Sequence, residues 1–438
     1  MINKIFLSFI FLLNSLLLSQ IWQPFHMEDL NNHRNHIMNY QEVDDRASLM
    51  IPDNQRQNLS HNVIGYLPYW EYSLYPNFNL DLLTHINYFS AELNSSGEII
   101  NDHNWNDLYI VEYAHDRGVK VSLCATLFGQ SELTSLLSNP QYRENAINNL
   151  LQKVVSKNAD GIDIDFELLP TSQRDNLVTF MEELSYAFHQ EIDDPIITMA
   201  TPAIDWSNAW DYDALATICD GLFIMGYNYF YSGSSNAGPV SPLGGYFYDI
   251  QYTLEDYLIK TNNQSNKLIL GLPYYGYDWP VQSSLMNDET TGSGISRTYA
   301  NAQDMSNQYG YIYDLTSNSP WFSYNTQNWQ QCWYEDSLSI STKYQLAKDS
   351  NLQGVGIWAL GYDNGYSQMW GSLSDHFYSE LTGDVNLDDI VNVLDVIIHV
   401  NIVLQNTNDL IGDLNNDTTV NIQDIVLLVN LILNNRHS

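Results

Sequence analysis

The stretch Ala159-Asp-Gly-Ile-Asp-Ile-Asp-Phe-Glu167 sets four acidic residues among apolar ones in strict order. Read as a β-strand, it alternates faces, so Asp163, Asp165 and Glu167 form a row on one side while Ile162, Ile164 and Phe166 face the other. The apolar face can pack on helices, and the carboxylate row must point at something polar. In a parallel (β/α) barrel that place is the interior, and the residue at the C-terminal end of the strand reaches the active-site mouth. Glu167 would be that residue. A calcium site or a solvated acidic turn is the alternative, but Gly161 followed by β-branched and aromatic residues favours a buried strand.

Crowded carboxylates repel one another and are partly desolvated, so at least one should hold a proton near neutral pH and serve as a general acid. Cleavage of glycosidic bonds needs such a group. The spacing Asp-x-x-Asp-x-Asp-x-Glu, here Asp160, Asp163, Asp165 and Glu167, resembles the signature of glycoside hydrolase family 18, the chitinase family. The resemblance implies a substrate-assisted retaining mechanism, an exception to the two-carboxylate scheme. By analogy Glu167 protonates the leaving oxygen and the substrate's own 2-acetamido carbonyl attacks the anomeric carbon. Asp165 would orient the acetamido N–H and stabilise the oxazolinium ion, with Asp163 sharing a proton behind it. No cofactor is implied for catalysis.

A chain of 438 residues suits a barrel plus an appendage. With 16 basic against 52 acidic residues and a formal net charge of −36, nucleic acid and anionic membranes are poor partners. Cys124, Cys219 and Cys332 lie far apart without metal-ligand spacing, so disulfides are not the scaffold. The 11 histidines are scattered and are assigned no role.

In chain order, residues 1–20 read as a signal peptide, with Lys4 before an apolar run too short for a comfortable span, which predicts an exported chain with no membrane span once mature. Residues 21–60 are polar and aperiodic, predicting a flexible extension or pro-segment with no identifiable chemistry. From 61 to 381, short apolar runs alternate with helical patterns, as in a closed (β/α)8 TIM barrel of the α/β class. Strands are expected at 63–68, 84–89, 119–125, 161–167, 196–201, 221–227, 267–273 and 354–359, with the clearest helices at 143–156 and 172–189. The gap of about 80 residues before the eighth strand predicts a small α+β insertion over residues 277–341 on the active-site face.

Four further strand ends aim groups at the mouth. Met225 and Tyr227 share a face of the sixth strand, and Met-Gly-Tyr-Asn resembles the family's Met-x-Tyr-Asp motif, whose tyrosine holds the acetamido carbonyl. Asn228 departs from that motif, since an amide cannot supply the aspartate's charge. On the eighth strand, Gly356 beside Trp358 leaves room for a flat ring, and the resemblance implies that Trp358 floors the reacting sugar's subsite. Tyr66 and Tyr275 stand where substrate loops begin on the first and seventh strands.

After the barrel, Gly383-Asp-Val-Asn-Leu-Asp388 recurs 29 residues later as Gly412-Asp-Leu-Asn-Asn-Asp417. Oxygen-bearing side chains fall at loop positions 1, 3, 5, 9 and 12. They are Asp384, Asn386, Asp388, Asn392 and Asp395, then Asp413, Asn415, Asp417, Asn421 and Asp424. The paired loop-helix repeat over residues 383–436 resembles a type I dockerin, implying an all-α module, two calcium ions and a cohesin-type or cell-surface partner.

These readings lead to a secreted hydrolase of β-linked N-acetylglucosamine polysaccharides or oligosaccharides, chitin or its oligomers first. A peptidoglycan N-acetylglucosaminidase and an N-glycan endo-β-N-acetylglucosaminidase need the same core. A catalytically silent glycan-binding barrel tethered by its terminal module is the reading of another class.

Overall fold

Alternation along Gly161–Glu167 has the structural outcome it implies: the segment is a barrel strand, and all of its residues are buried. The computed structural model describes residues 24–38, 58–379, 383–386, 391–405, 410–415 and 417–434. In chain order the barrel strands are β1 (Asn62–Pro68), β2 (His85–Leu93), β3 (Lys120–Phe128), β4 (Gly161–Glu167), β5 (Ile196–Pro202), β6 (Gly221–Met225), β7 (Leu268–Pro273) and β8 (Gly354–Trp358). Each pairs in parallel with the next, and β8 pairs back onto β1, so the sheet closes. These are the eight segments expected from periodicity, with ends moved by a few residues.

The helices that cover β4 follow from local signals. Pro140 opens the helix Pro140–Lys157, the Asn139 side chain caps it by accepting the Gln141 N–H, and Asn158 closes it in the left-handed conformation. The next helix, Arg174–Glu191, buries Leu177, Phe180, Met181, Leu184 and Phe188. Phe180 meets Phe166, on the apolar side of β4, with ring centroids 5.3 Å apart. Helix packing therefore fixes which way the carboxylate row points.

Inside the barrel, one ring explains two glycines. A Cβ on Gly271 would stand 2.2 Å from the Phe223 ring and one on Gly356 only 1.9 Å from it. This corrects the expectation that the space beside Gly356 receives a sugar. It is filled by Phe223, because a closed barrel interior is packed by side chains from alternate strands.

Between β7 and β8 the chain forms a five-stranded antiparallel sheet in the order Ile295–Thr298, Tyr275–Val281, Trp329–Trp333, Ser319–Asn325, Ile312–Asp314, with the helix Tyr299–Tyr309. Trp321 and Trp333 stack there at 5.3 Å.

Near the C-terminus, the helices Val393–Gln405 and Ile422–Asn434 each begin at the end of one repeat loop. Asp395 and Asp424 play equivalent parts: one accepts the N–H groups of Val385, Asn386 and Asn392, the other those of Leu414, Asn415 and Asn421. Asp413 accepts from Asp417 and Thr418. The donor set is all oxygen, as a hard cation requires. Among the described residues, however, no three carboxylates of these loops bring an oxygen each within 4.8 Å of one another. Asp388 lies outside the described residues.

Cys124, Cys219 and Cys332 are free and buried. Among the described residues no helix is long and apolar enough to cross a membrane.

Candidate active site

The row on β4 divides into an anchor, a middle group and a terminal acid. Asp163 is fully buried, and both of its oxygens are held: Thr198 donates to Oδ1 at 2.7 Å and Tyr66 to Oδ2 at 2.7 Å. Burial nonetheless pushes its carboxyl up to about 6, with the Asp165 charge adding to the effect. Tyr66 was expected to touch substrate. Its phenol instead points down into the barrel, because β1 lies across the interior from β4 and Asp163 needs a donor there.

Asp165 is also fully buried. Its Oδ1 has no hydrogen-bond partner among the described residues, and the same holds for Glu167 Oε1. Glu167 is 4% exposed at the end of β4. Desolvation first, and the Asp165 charge second, hold its carboxyl well above the usual glutamate range. Leu168, next in the chain, has φ of +66°, a left-handed conformation that is uncommon for a bulky residue and costs on the order of 1–3 kcal/mol. The chain thus turns sharply just after the acid. Asp160, the first residue of the motif, has a framework role: its Oδ2 accepts the Val121 N–H at 2.7 Å and meets His115 Nε2 at 2.7 Å.

Tyr227, Met225 and Asn228 leave the end of β6 together and line a cavity of about 530 Å³, which Glu167 also borders. Asn228 has φ of +60°, a conformation asparagine tolerates better than most residues. Its Oδ1 accepts the Tyr275 hydroxyl at 2.7 Å. The cavity's outer wall carries two residues that sequence reasoning did not single out, Trp206 and Tyr248, with ring centroids 4.8 Å apart. Trp206 is 68% exposed, a large apolar face open to solvent at the edge of the cleft. The signal for it was its place just after Pro202, where β5 delivers the chain to the mouth.

The largest departure from the sequence reading concerns residues 21–60. Phe25–His33 is a helix, and it lies in the mouth of the barrel. His26 is fully buried, its Nδ1 2.8 Å from Asp165 Oδ2 and its Nε2 2.6 Å from the Tyr227 hydroxyl. Its ring stacks on the Trp358 indole at 3.6 Å, and Phe25 stacks on Tyr275 at 3.6 Å. The Trp358 Nε1–H and the Tyr362 hydroxyl both donate to Asp29 Oδ2. Thus Asp165, Tyr227, Trp358 and Tyr275 do converge, around a segment that was expected to carry no chemistry.

Comparison with known proteins agrees with this geometry. The sequence model of glycosyl hydrolases family 18 matches residues 62–363. A cortical fragment-lytic enzyme of Bacillus subtilis (strain 168) is 31% identical over 249 residues, covering 55% of this chain and 55% of the relative. A di-N-acetylchitobiase of Homo sapiens is 27% identical over 287 residues, covering 58% of this chain and 69% of the relative. The chain therefore spans only part of the curated relatives it matches. A crystal structure of a GH18 chitinase from Cycas revoluta in complex with (GlcNAc)3 superposes with a TM-score of 0.66 at 20% identity, covering 72% of this chain and 99% of that one, which speaks for the fold.

The raised carboxyl of Asp163 has a signed consequence for stability. The folded chain holds this proton up to about pH 6 while the unfolded chain releases it near the ordinary aspartate value of 3.8, so burial of Asp163 costs nothing at low pH and progressively more as pH rises between the two. Relative to Asp163→Asn, the parent is expected to lose roughly 2 kcal/mol of unfolding free energy between pH 4 and pH 6, the slope approaching ~1.4 kcal/mol per pH unit midway between the two values. Denaturant melts of both chains across that range check the slope, and parallel curves would contradict it.

With its diagnostic carboxylate row on β4 of a closed barrel and a family match over most of the barrel's length, the chain belongs to glycosyl hydrolases family 18.

Proposed function

We propose that the chain hydrolyses β-linked N-acetylglucosamine glycans, chitin or its oligosaccharides, by substrate-assisted retaining catalysis. The observation that carries this reading is the convergence of Asp165 Oδ2 and the Tyr227 hydroxyl on one ring-sized space over the Trp358 indole, beside Glu167. In the proposed reaction the reacting sugar lies on Trp358. Asp165 accepts the acetamido N–H and Tyr227 donates to the acetamido carbonyl oxygen, aligning that oxygen with the anomeric carbon. As the C–O bond breaks, Glu167 gives its proton to the leaving oxygen; its raised carboxyl keeps that proton available at neutral pH. The Asp165 carboxylate offsets the positive charge on the oxazolinium ring. The deprotonated Glu167 then takes a proton from water, which opens the ring with retention of configuration. The leaving group departs into the cavity bordered by Met225, Asn228 and Trp206.

A second reading, cleavage of peptidoglycan at N-acetylglucosamine, is favoured by the relative named a cortical fragment-lytic enzyme. The same machinery serves both, and substrate choice would then lie in the cleft walls.

Export by the leader over residues 1–20 belongs to the proposal, as does a dockerin-like role for the C-terminal repeat. Calcium would be held by the oxygen donors at 384–395 and 413–424, ordering the loops ahead of the two helices. Those helices leave Val393, Leu394, Ile397, Ile422, Val426 and Leu433 exposed, which suits a protein partner.

Hydrolysis of defined N-acetylglucosamine oligomers, with products resolved by mass and anomeric form, tests the reaction. Glu167→Gln should keep binding and lower kcat by about 10²- to 10⁴-fold, the usual contribution of a positioned general acid. Products of inverted configuration, or a Gln variant as fast as the parent, would rule the mechanism out. For the repeat, calorimetric calcium titration of the full chain should give two sites, reduced to one by Asp413→Ala. A chain that takes up no calcium at millimolar concentration would remove the dockerin reading.

A further inference from the structure

The Phe25–His33 helix makes a set of contacts that a merely adjacent segment has no reason to make. Phe25 lies flat on Tyr275, with interplanar angle 3°. Glu28 Oε2 accepts the Tyr277 hydroxyl at 2.9 Å, and burial raises the Glu28 carboxyl. Asp29 accepts from Trp358 and Tyr362, while the His33 ring stacks on Trp70 at 4.3 Å. The Tyr69 hydroxyl donates to the His33 carbonyl at 2.6 Å. One short helix thus reaches the ends of β1, β4, β6 and β8 and the strand that follows β7. Pro24 and Phe25, at its start, border the 530 Å³ cavity that Glu167 also lines.

The chemistry at His26 is specific. Nδ1 faces the Asp165 carboxylate and Nε2 faces the Tyr227 hydroxyl; in the tautomer with its proton on Nδ1, the ring donates to the carboxylate and accepts from the phenol. A planar five-membered ring with N–H and an acceptor separated by one carbon is the outline of the oxazolinium ring formed by an attacking acetamido group, whose N–H faces Asp165 and whose oxygen faces Tyr227. Stacking on Trp358 at 3.6 Å puts the imidazole on the face where the proposed reacting sugar would lie. Sites shaped for a high-energy species bind its stable mimics tightly.

We propose that the Phe25–His33 helix is a built-in inhibitor of this active site, its His26 imidazole standing in for the oxazolinium ring, so that the chain is silent while the helix is docked and active once it is released. The inference rests on the substrate-assisted reading for what His26 imitates. A pyranose and the imidazole cannot share the face of Trp358, so docking and glycan binding compete directly. Because the inhibitor is part of the chain, its local concentration does not fall on dilution.

The test uses the full chain and a variant carrying Phe25→Ala, His26→Ala and Asp29→Ala, none of which belongs to the proposed catalytic set. If the helix is docked in nine-tenths of molecules or more, the variant's apparent KM for N-acetylglucosamine oligomers should fall about tenfold or further with kcat unchanged. A synthetic peptide of residues 24–38, added to the variant, should restore the higher KM competitively, and the same peptide with His26→Ala should not. Equal KM values for parent and variant would overturn the inference while leaving the catalytic reading intact. If neither chain cleaves these glycans, calorimetry decides independently. Binding of the peptide to the variant, weakened by Tyr227→Phe, supports the docked inhibitor whatever the substrate; absence of binding overturns it.

Discussion

Removal of three carboxylates from water is the constraint on which the rest of this molecule depends. Asp163, Asp165 and Glu167 are each buried on one strand, where a charge is costly. The barrel makes this tolerable by grading the support. Asp163 has hydroxyl donors on both oxygens, whereas Asp165 and Glu167 each keep one oxygen without a partner among the described residues. Polar satisfaction therefore declines toward the mouth, where a ligand can supply what the protein withholds. The sharp turn at Leu168 and the packing of Phe166 on Phe180 hold the strand end in place for that purpose.

The sequence revealed most where a short period ran without interruption. Period-two alternation at 161–167 identified the strand, its inward face and the terminal acid, and apolar runs of similar kind located the other seven strands. Their ends were less legible because hydrogen-bonding partners, not composition, determine where a strand stops. β2 runs on to Leu93 because β3 and the short strand Ile99–Asn101 continue to pair with it. Two errors came from treating a residue's neighbours in the chain as its neighbours in space. Gly356 was read beside Trp358 as room for a sugar, yet the ring that fills it, Phe223, comes from another strand. Tyr66 was read as a substrate contact because it precedes a loop, yet its hydroxyl answers a need created 97 residues away at Asp163.

The N-terminal helix was illegible for the same reason in stronger form. Its composition is polar and its period weak, because the surface it covers is a ring of aromatic residues and hydroxyl groups from distant strands. His26 meets partners 139 and 201 residues further along, and no local pattern encodes such a match. The density of groups able to stack or accept in Phe-His-Met-Glu-Asp was the available signal. It becomes meaningful only once Asp165, Tyr227 and Trp358 are known to converge.

The central claim is that desolvation beside Asp165 keeps Glu167 protonated at the end of β4. The most direct measurement is the titration of the Glu167 side-chain carboxyl, followed by carbon NMR on chain labelled at glutamate and assigned with Glu167→Gln. The account predicts a midpoint well above the ordinary glutamate value of 4.5, moving downward in Asp165→Asn because that substitution removes the neighbouring charge while burial persists. A Glu167 carboxyl that titrates near 4.5 in the folded chain, or one indifferent to Asp165→Asn, would contradict it.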